Sequence, residues 1–434
     1  AKTADGDIDI DGQGGGSASS VASKGVMIYS GSSLSAGGDG NLTIDGTAGS
    51  GTYQNDGVFF NSGTSASVVD GDMTINGTGG GSAGLGLGVN VTNTNLSATG
   101  TGNIVIDGTS AASGGFNNVG VQLWASTVTT AGAGTGEGDV TISGSAGSGT
   151  ANNMGVRLSN VDIDTGTNSK IDIDGSGAGS GAGNIGVQLT SGTNQTVSGP
   201  RGLIDIVGSG SATGTTNNDG VDLGTYTNLN FNDGGATITG TGAGTGQSQG
   251  ITGTRVTTTG TGDLTMTGSS LATGSSNQGI SLSASTIGGG TVTLTGTGGA
   301  GTSNNQGVRL AATNVTTTGG SIDVDGTGKG TAVYNTGVQL VGSTLDAGGA
   351  GTIDIDGTAG NGTIFNEGVQ LSAGSTVKTA AGAIGIRGTG MGTITGNRGV
   401  SLSGSTAEST GGGNITILGT ASTSSSGALN DGVS

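Results

Sequence analysis

The segment IDIDGTAGNGTIFNEGVQLSAGSTVKT, residues 353–379, contains all three elements from which the chain is built. These elements are IDIDG at 353–357, GVQL at 368–371 and STVKT at 375–379. In each element apolar and polar residues alternate, which is the period of a half-buried β-strand. Glycine, serine, threonine and asparagine separate the elements, and these residues favour turns. The segment therefore predicts three short strands joined by turns.

The same elements recur along the whole chain. The first element runs from IDIDG at 8–12 to ITILG at 415–419, and the final glycines of these copies lie 407 residues and thirteen steps apart. The mean period is therefore about 31 residues, which is the sequence signature of a repeat protein. The glycine that opens the second element recurs at Gly25, Gly57, Gly88, Gly120, Gly155, Gly186, Gly220, Gly250, Gly279, Gly307, Gly337, Gly368, Gly399 and Gly432.

These repeats predict an all-β fold, a parallel β-helix (β-solenoid) of about fourteen coils with three short strands per coil. Equivalent strands would stack about 4.8 Å apart into three parallel sheets, and the usual crossover handedness favours a right-handed coil. Alternation assigns the isoleucines of the first element to the interior, so Ile322, Ile353 and Ile384 are expected to form one apolar column. Glycine is expected to end the first strand and to open the second, where the coil bends.

Residues 1–434 are predicted to form a single continuous repeat array. AKTADGD at 1–7 aligns with VKTAAGA at 377–383, so we expect the chain to begin inside a third strand and to finish inside a second strand. Neither end shows a capping unit. We therefore expect the array to continue in a longer chain or to associate end to end with another molecule.

Composition and charge exclude several classes of function. Of 434 residues, 102 are glycine and one is proline, and the lack of a Gly-X-Y period excludes collagen. A net charge of −18 with eleven Lys and Arg argues against nucleic acid as a partner. No apolar run is long enough to insert into a membrane. Without histidine or cysteine, the nucleophilic arrangements that need them are absent, and we expect no enzyme activity.

An asparagine stands two residues before the second-element glycine in eleven of fourteen units, the exceptions being Ser23, Gly86 and Ser248. Amides stacked at one corner can hydrogen-bond from coil to coil. A row of amides that binds a ligand is the alternative. The predicted structural ladder consists of Asn118, Asn153, Asn184, Asn218, Asn277, Asn305, Asn335, Asn366 and Asn397.

Two acidic pairs are candidate metal ligands. Asp323 and Asp325 occupy the outward positions of one first strand, and Asp354 and Asp356 occupy those of the next. Like charges on neighbouring strands repel each other, and a hard cation such as Ca²⁺ would relieve that repulsion. Ca²⁺ is therefore the one candidate cofactor. The alternative is a solvated acidic strip that keeps the protein soluble.

Two further functions remain open. Thr-x-Thr pairs at 237/239, 265/267 and 293/295 place threonines on one outward face, and flat arrays of this kind can order water, as ice-binding proteins do. A carboxylate pair could instead cleave a polysaccharide, as in β-helix lyases and hydrolases. Binding of a polysaccharide without cleavage belongs to the same alternative.

Units such as STVTT (126–130), GDLTMTG (262–268) and NNQGVRL (304–310) resemble the repeat regions of large bacterial surface proteins. These are the filamentous-haemagglutinin-like and autotransporter-like β-helix proteins, and the resemblance extends over essentially the whole chain. It implies a structural or adhesive extracellular fibre at the bacterial cell surface, with a cell-surface or matrix polysaccharide as a partner. The chain departs from a complete family member in lacking an export signal, a secretion domain and an outer-membrane anchor, which we expect in a longer precursor.

Overall fold

The computed structural model describes residues 1–17, 19–130, 138–166, 169–190, 195–198, 202–231 and 233–434. The described residues form β-strands and turns and contain no helix. The strands form three parallel sheets of fourteen, fourteen and thirteen strands, and within each of the two units described below a strand pairs with its equivalent in the next repeat. The predicted β-solenoid with three strands per coil is thus confirmed. None of the described residues belongs to a helix long and apolar enough to cross a membrane.

The residues divide into two compact units. Unit 1 comprises Ala1–Gly214 and Tyr226–Gly234, and unit 2 comprises Thr215–Thr225 and Gly235–Ser434. We call the sheets first, second and third, after the three sequence elements that form them. That residues 1–434 form a single continuous array stays a prediction.

Unit 1 contributes strands to all three sheets. Its first-sheet strands are Ile8–Gln13, Leu42–Thr47, Met73–Gly79, Ile104–Ser110, Val140–Ser145, Ile171–Ser176 and Ile204–Ser209. Its second-sheet strands are Val26–Ile28, Val58–Phe60, Val89–Thr92, Val121–Trp124, Val156–Ser159 and Val187–Thr190. Its third-sheet strands are Lys2–Thr3, Ser33–Ala36, Ser65–Val68, Asn95–Ala98, Thr127–Thr129, Asp162–Asp164, Gln195–Ser198 and Thr227–Asn230.

Unit 2 is built in the same way. Its first-sheet strands are Ala236–Gly242, Leu264–Ser270, Val292–Thr297, Ile322–Thr327, Ile353–Thr358, Ile384–Thr389 and Ile415–Thr420. Its second-sheet strands are Val221–Thr225, Ile251–Thr254, Ile280–Ser283, Val308–Ala311, Val338–Val341, Val369–Ser372 and Val400–Leu402. Its third-sheet strands are Thr257–Thr259, Thr286–Gly289, Asn314–Thr317, Thr344–Ala347, Thr376–Thr379 and Thr406–Ser409.

The alternation of apolar and polar residues assigns the faces as predicted. Ile322 pairs with Ile353, and Ile353 pairs with Ile384, so the three side chains form one column inside unit 2. All three are buried. Because a shift of one residue would turn every isoleucine outward, burial of this column fixes the strand register.

The glycines of the first strand do not end it, which corrects the prediction. The strand Ile353–Thr358 continues through Gly357, and the next strand begins at Val369, after Gly368. Gly357 faces the interior, where a Cβ atom would lie 2.1 Å from the carbonyl oxygen of Gly368. Glycine is required here because the backbones of the two strands touch, and a side chain would separate them.

Candidate functional site

The predicted asparagine ladder lies inside the coil, at the corner that precedes the second strand. In unit 2 the Oδ1 of Asn335 accepts hydrogen bonds from the backbone N–H (3.1 Å) and the Nδ2 (3.0 Å) of Asn305. The Nδ2 of Asn335 donates to the carbonyl oxygen of Thr302 and to the Oδ1 of Asn366, both at 3.1 Å. Each of these asparagines is fully buried. Their amides are therefore used for bonds between coils and are closed to a ligand from solvent.

The other ladder positions have related geometry within each unit. In unit 1 the backbone N–H of Asn118 donates to Asn153, and that of Asn153 donates to Asn184. In unit 2, Ser248 replaces asparagine, and its hydroxyl accepts the N–H of Asn218 at 3.1 Å. The N–H of Ser248 then donates to the Oδ1 of Asn277 at 2.8 Å. Ser248 therefore preserves the hydrogen bonds that the backbone N–H groups of the ladder donate from coil to coil. The remaining members Asn366 and Asn397 are linked in the same way, through the N–H of Asn366.

The four candidate metal ligands lie on paired strands, Asp323 beside Asp354 and Asp325 beside Asp356. Partial burial, followed by the charges of the neighbouring carboxylates, raises the pKa of Asp323 and of Asp325. The guanidinium of Arg387 lies 3.0 Å from Asp354 and 3.3 Å from Asp356. Within the described parts of the chain, no group of three or more His, Cys, Asp or Glu side chains is arranged to hold a metal ion. An arginine thus already offsets part of the repulsion that suggested a cation.

The calcium hypothesis has a direct test. If Ca²⁺ bridges these carboxylates, millimolar Ca²⁺ should raise the thermal unfolding midpoint and excess chelator should lower it. The matched control is the double substitution Asp323→Asn and Asp325→Asn, which removes two of the four negative charges and should weaken the response. A midpoint that does not change with chelator rules the hypothesis out.

The Thr-x-Thr pairs lie side by side in unit 2. Thr237, Thr265 and Thr293 occupy equivalent positions on three adjacent strands, and Thr239, Thr267 and Thr295 do the same two residues later. The array therefore has six threonines on three strands. Ice binding stays a prediction, which a measurement of thermal hysteresis tests.

A second column, which the sequence analysis missed, lies between the ladder asparagine and the second-strand glycine. We call it the corner column. In unit 1 it contains an ion pair, with Lys24 Nζ 2.6 Å from Asp56 Oδ2, and then an apolar cluster. The members of that cluster are Leu87, Val119, Met154 and Ile185. The signal was visible as the variable residue before each glycine.

In unit 2 the corner column begins with Asp219 and continues with amides. Gln249 Nε2 donates to Gln278 Oε1 at 3.1 Å, and Gln278 Nε2 donates to Gln306 Oε1 at 2.8 Å. These side chains are almost completely buried. Nearer the C-terminus the column is ionic: Arg398 Nη1 lies 2.8 Å from Glu367 Oε1, and Arg398 Nε lies 3.7 Å from Asp431 Oδ2. Burial raises the pKa of Glu367, and the Arg398 guanidinium opposes that shift.

The amides of the corner column form the floor of an open groove of about 760 Å³ in unit 2. We call it the amide groove. One wall consists of outward side chains of the second sheet, such as Thr252, Ser281 and Arg309, and the other consists of turn residues, including Tyr334. The Tyr334 ring stacks on Phe365, with 5.4 Å between centroids and 9° between planes. The groove thus combines planar polar groups with a fixed aromatic ring.

A smaller groove of about 410 Å³ lies at the equivalent corner of unit 1. Trp124, the single tryptophan of the chain, lines it, and the guanidinium of Arg157 lies 5.9 Å from the Trp124 ring. Lys24 Nζ lies 4.4 Å from the centroid of Phe59. Burial lowers the pKa of Arg157. Both aromatic rings are therefore paired with cations of the same groove.

Asp219 is the buried acid at the first position of the amide groove. Its Oδ1 accepts the backbone N–H of Gln249 at 2.5 Å. Burial raises the pKa of Asp219 from 3.8 to about 7; the Asp222 charge adds a smaller rise, and the Gln249 hydrogen bond opposes it. The carboxyl therefore titrates near neutral pH.

The raised pKa of Asp219 predicts a stability that depends on pH. The folded-state pKa lies above the unfolded one, so the stabilisation is complete below pH 3.8 and is lost as pH rises through about 7. We expect unit 2 to lose about 2 kcal/mol of unfolding free energy between pH 5 and pH 8 because of this group. Denaturant unfolding at both pH values measures it. Asp219→Asn, which keeps a neutral side chain of the same shape, should remove this part of the loss, and an unchanged pH dependence in that variant would contradict the assignment.

Three stacked parallel sheets define the protein as a parallel β-solenoid repeat protein. No protein-family model matches the chain. No curated protein matches it. No solved structure matches it. The likeness to filamentous-haemagglutinin-like proteins thus rests on the repeat motifs alone.

Proposed function

We propose that the protein is a non-enzymatic structural and adhesive scaffold, part of an extracellular fibre or of a bacterial surface-protein stalk. The supporting observation is a difference between its inward and outward positions. Inward positions of the strands repeat apolar columns, and the corners repeat buried asparagines and paired glycines. Outward positions change between neighbouring strands, as from Thr293 to Asp323 in one register. A constant frame with variable outer side chains is typical of repeat proteins that present contacts.

Adhesion without cleavage is the first property to test. Beads coated with the chain should adhere to surfaces of immobilised cell-wall or matrix polysaccharide, and the polysaccharide should release no reducing ends or unsaturated products. Beads coated with heat-denatured chain are the control. Release of such products would favour the alternative, a polysaccharide lyase or hydrolase, whose reaction uses carboxylates placed at the scissile bond.

Interchangeable coils are the second property to test. Deletion of residues 264–291 joins Asp263 to Val292, which then takes the place of Leu264 beside Ala236. The same deletion puts Gln306 in the place of Gln278 beside Gln249, so that amide still meets amide in the corner column. A scaffold should remain folded, since each coil contacts only its neighbours. Circular dichroism should show unchanged strand content per residue and a cooperative melt. A matched deletion of half a coil, residues 264–278, breaks the register and should not fold. Failure of the whole-coil deletion to fold would contradict the scaffold.

End-to-end association, or continuation into a longer chain, is part of the same proposal. Electron microscopy of the purified chain should show filaments whose length grows with protein concentration. Only particles of single-chain mass at every concentration would contradict self-association.

A further inference from the structure

We infer that the amide groove of unit 2 binds an extended, neutral polysaccharide chain along the direction in which the coils stack. The inference gives the adhesive part of the proposed function a ligand class and a site, and it rests on that function for its biological context only. Its physical basis is the chemistry, the spacing and the aromatic wall of the groove.

The chemistry of the groove suits a chain of hydroxyl groups. The wall residues Thr252, Ser281 and Gln339 are half-buried, and they present hydroxyl and amide groups that both donate and accept. Arg309 adds donors from a half-buried guanidinium. Sugar hydroxyls also donate and accept, so each can pair with such a wall without leaving a buried polar group unsatisfied.

The floor keeps the walls in place. Gln249, Gln278 and Gln306 bond to one another, and Gln278 Nε2 also donates to the Asn304 carbonyl oxygen at 3.0 Å. Because these amides are used within the protein, the floor is rigid and offers a polar surface over which a ligand lies. Binding then orders few protein side chains, which keeps the entropic cost of association low.

The distance between equivalent groups along the groove matches the repeat distance of a polysaccharide. One floor residue and one outward wall residue come from each coil, and neighbouring strands are about 4.8 Å apart. This distance is close to the length of one pyranose unit, so an extended glycan meets similar groups at every step. The groove volume of about 760 Å³ accommodates several sugar units in contact with the walls.

Tyr334 supplies an apolar surface at one wall. The ring is 43% exposed, and its stacking on Phe365 holds it in one orientation. A fixed aromatic face can pack against the C–H face of a sugar ring while the Tyr hydroxyl stays in water. Amides together with one oriented ring favour a sugar over a ligand that is wholly polar.

Charge and backbone pairing argue against two other ligands. The net charge of −18 repels a polyanion such as an acidic polysaccharide. A peptide that adds a strand needs an open sheet edge, but the second-sheet strand Val308–Ala311 beside the groove is paired on both sides. A neutral glycan needs neither an opposite charge nor a free edge.

Affinity electrophoresis of the full chain tests the inference. The probes are soluble neutral polymers of glucose, galactose, mannose and N-acetylglucosamine, with polygalacturonate as the acidic comparison. We expect retardation by at least one neutral polymer, and binding about tenfold weaker in Tyr334→Ala and in Arg309→Ala. Tyr29→Ala, which removes a tyrosine that is 54% exposed and outside the groove, is the matched control and should bind as the wild type does.

The substitution Tyr334→Phe tests whether the loss of affinity in Tyr334→Ala comes from the missing ring and not from a folding defect. It keeps the stacked ring, and we expect it to retain the affinity that Tyr334→Ala loses, while circular dichroism melts confirm that each variant is folded. Retardation by no neutral polymer, stronger retardation by polygalacturonate, or unchanged binding by both Tyr334→Ala and Arg309→Ala would overturn the inference. None of these outcomes changes the expected result of the coil deletion, so the groove inference and the scaffold proposal can be contradicted independently.

Discussion

Alanine in place of Gly357 is expected to destabilise its coil by about 3 kcal/mol, at the upper end for overpacking. The new Cβ would lie 2.1 Å from the carbonyl oxygen of Gly368 and 2.7 Å from Val369 Cγ2. The Gly368 carbonyl oxygen accepts the backbone N–H of Val338 at 3.0 Å, and Val369 lies in a paired strand, so neither can move without disturbing hydrogen bonds to adjacent coils. Hydrogen exchange followed by mass spectrometry on the segment 353–379 measures the local loss, which suits a repeat protein that need not unfold in one step.

Gly319→Ala is the matched control for this substitution. Nothing lies within 4 Å of a Cβ atom at Gly319, and its φ is not positive, so the change should leave exchange rates unaltered or slightly slower. If Gly357→Ala behaved like Gly319→Ala, the close approach of the two backbones would not be real.

Removal of the Asn335 amide is expected to cost a similar amount, about 3 kcal/mol, for a different reason. Asn335→Ala deprives the backbone N–H and the Nδ2 of Asn305 of their buried acceptor. Each orphaned group costs about 1–3 kcal/mol because no water reaches it. Denaturant unfolding, together with hydrogen exchange at the N–H of Asn305, measures the effect.

Two control substitutions test whether the loss of stability is specific to an asparagine of the ladder. Asn314→Ala changes an exposed asparagine in the same unit and should shift stability by less than about 0.5 kcal/mol. Asn335→Ser copies the natural exception at Ser248, whose hydroxyl accepts the equivalent N–H, and should lose less than Asn335→Ala. Equal losses for serine and alanine would show that acceptance of this N–H is not what stabilises the corner.

Much of the fold could be predicted because two periods are visible in the sequence. Alternation assigned Ile353 and Ile355 to the core, and the longer period brought Ile322 and Ile384 into the same column. The strand end at Gly357 was wrong because glycine usually weakens a strand. Here the glycine instead permits contact with a backbone eleven residues away, and propensity contains no information about such a contact.

The site was harder to predict than the fold. The corner column is a single variable residue between two constant ones, and its burial depends on how the turn folds back over the second strand. The Arg387 contacts with Asp354 and Asp356 could have been found, because the repeat alignment already places Arg387 beside Asp356. Stacking of Tyr334 on Phe365 follows from the same alignment, since the two rings occupy equivalent positions.

Because the corner column changes from ionic to apolar to amide residues along the chain, it distinguishes groups of coils whose strands are otherwise alike. If folding left out the coil that contains Arg398, Glu367 would be buried beside the carboxylate of Asp431 in place of its cation. A buried acid that faces a second acid and has no base beside it is strongly unfavourable. An ionic member thus matches only its own partner, whereas apolar members match apolar neighbours and amides match amides. In a chain whose strands are otherwise almost interchangeable, the corner column therefore disfavours pairing between coils of different chemistry as the chain folds.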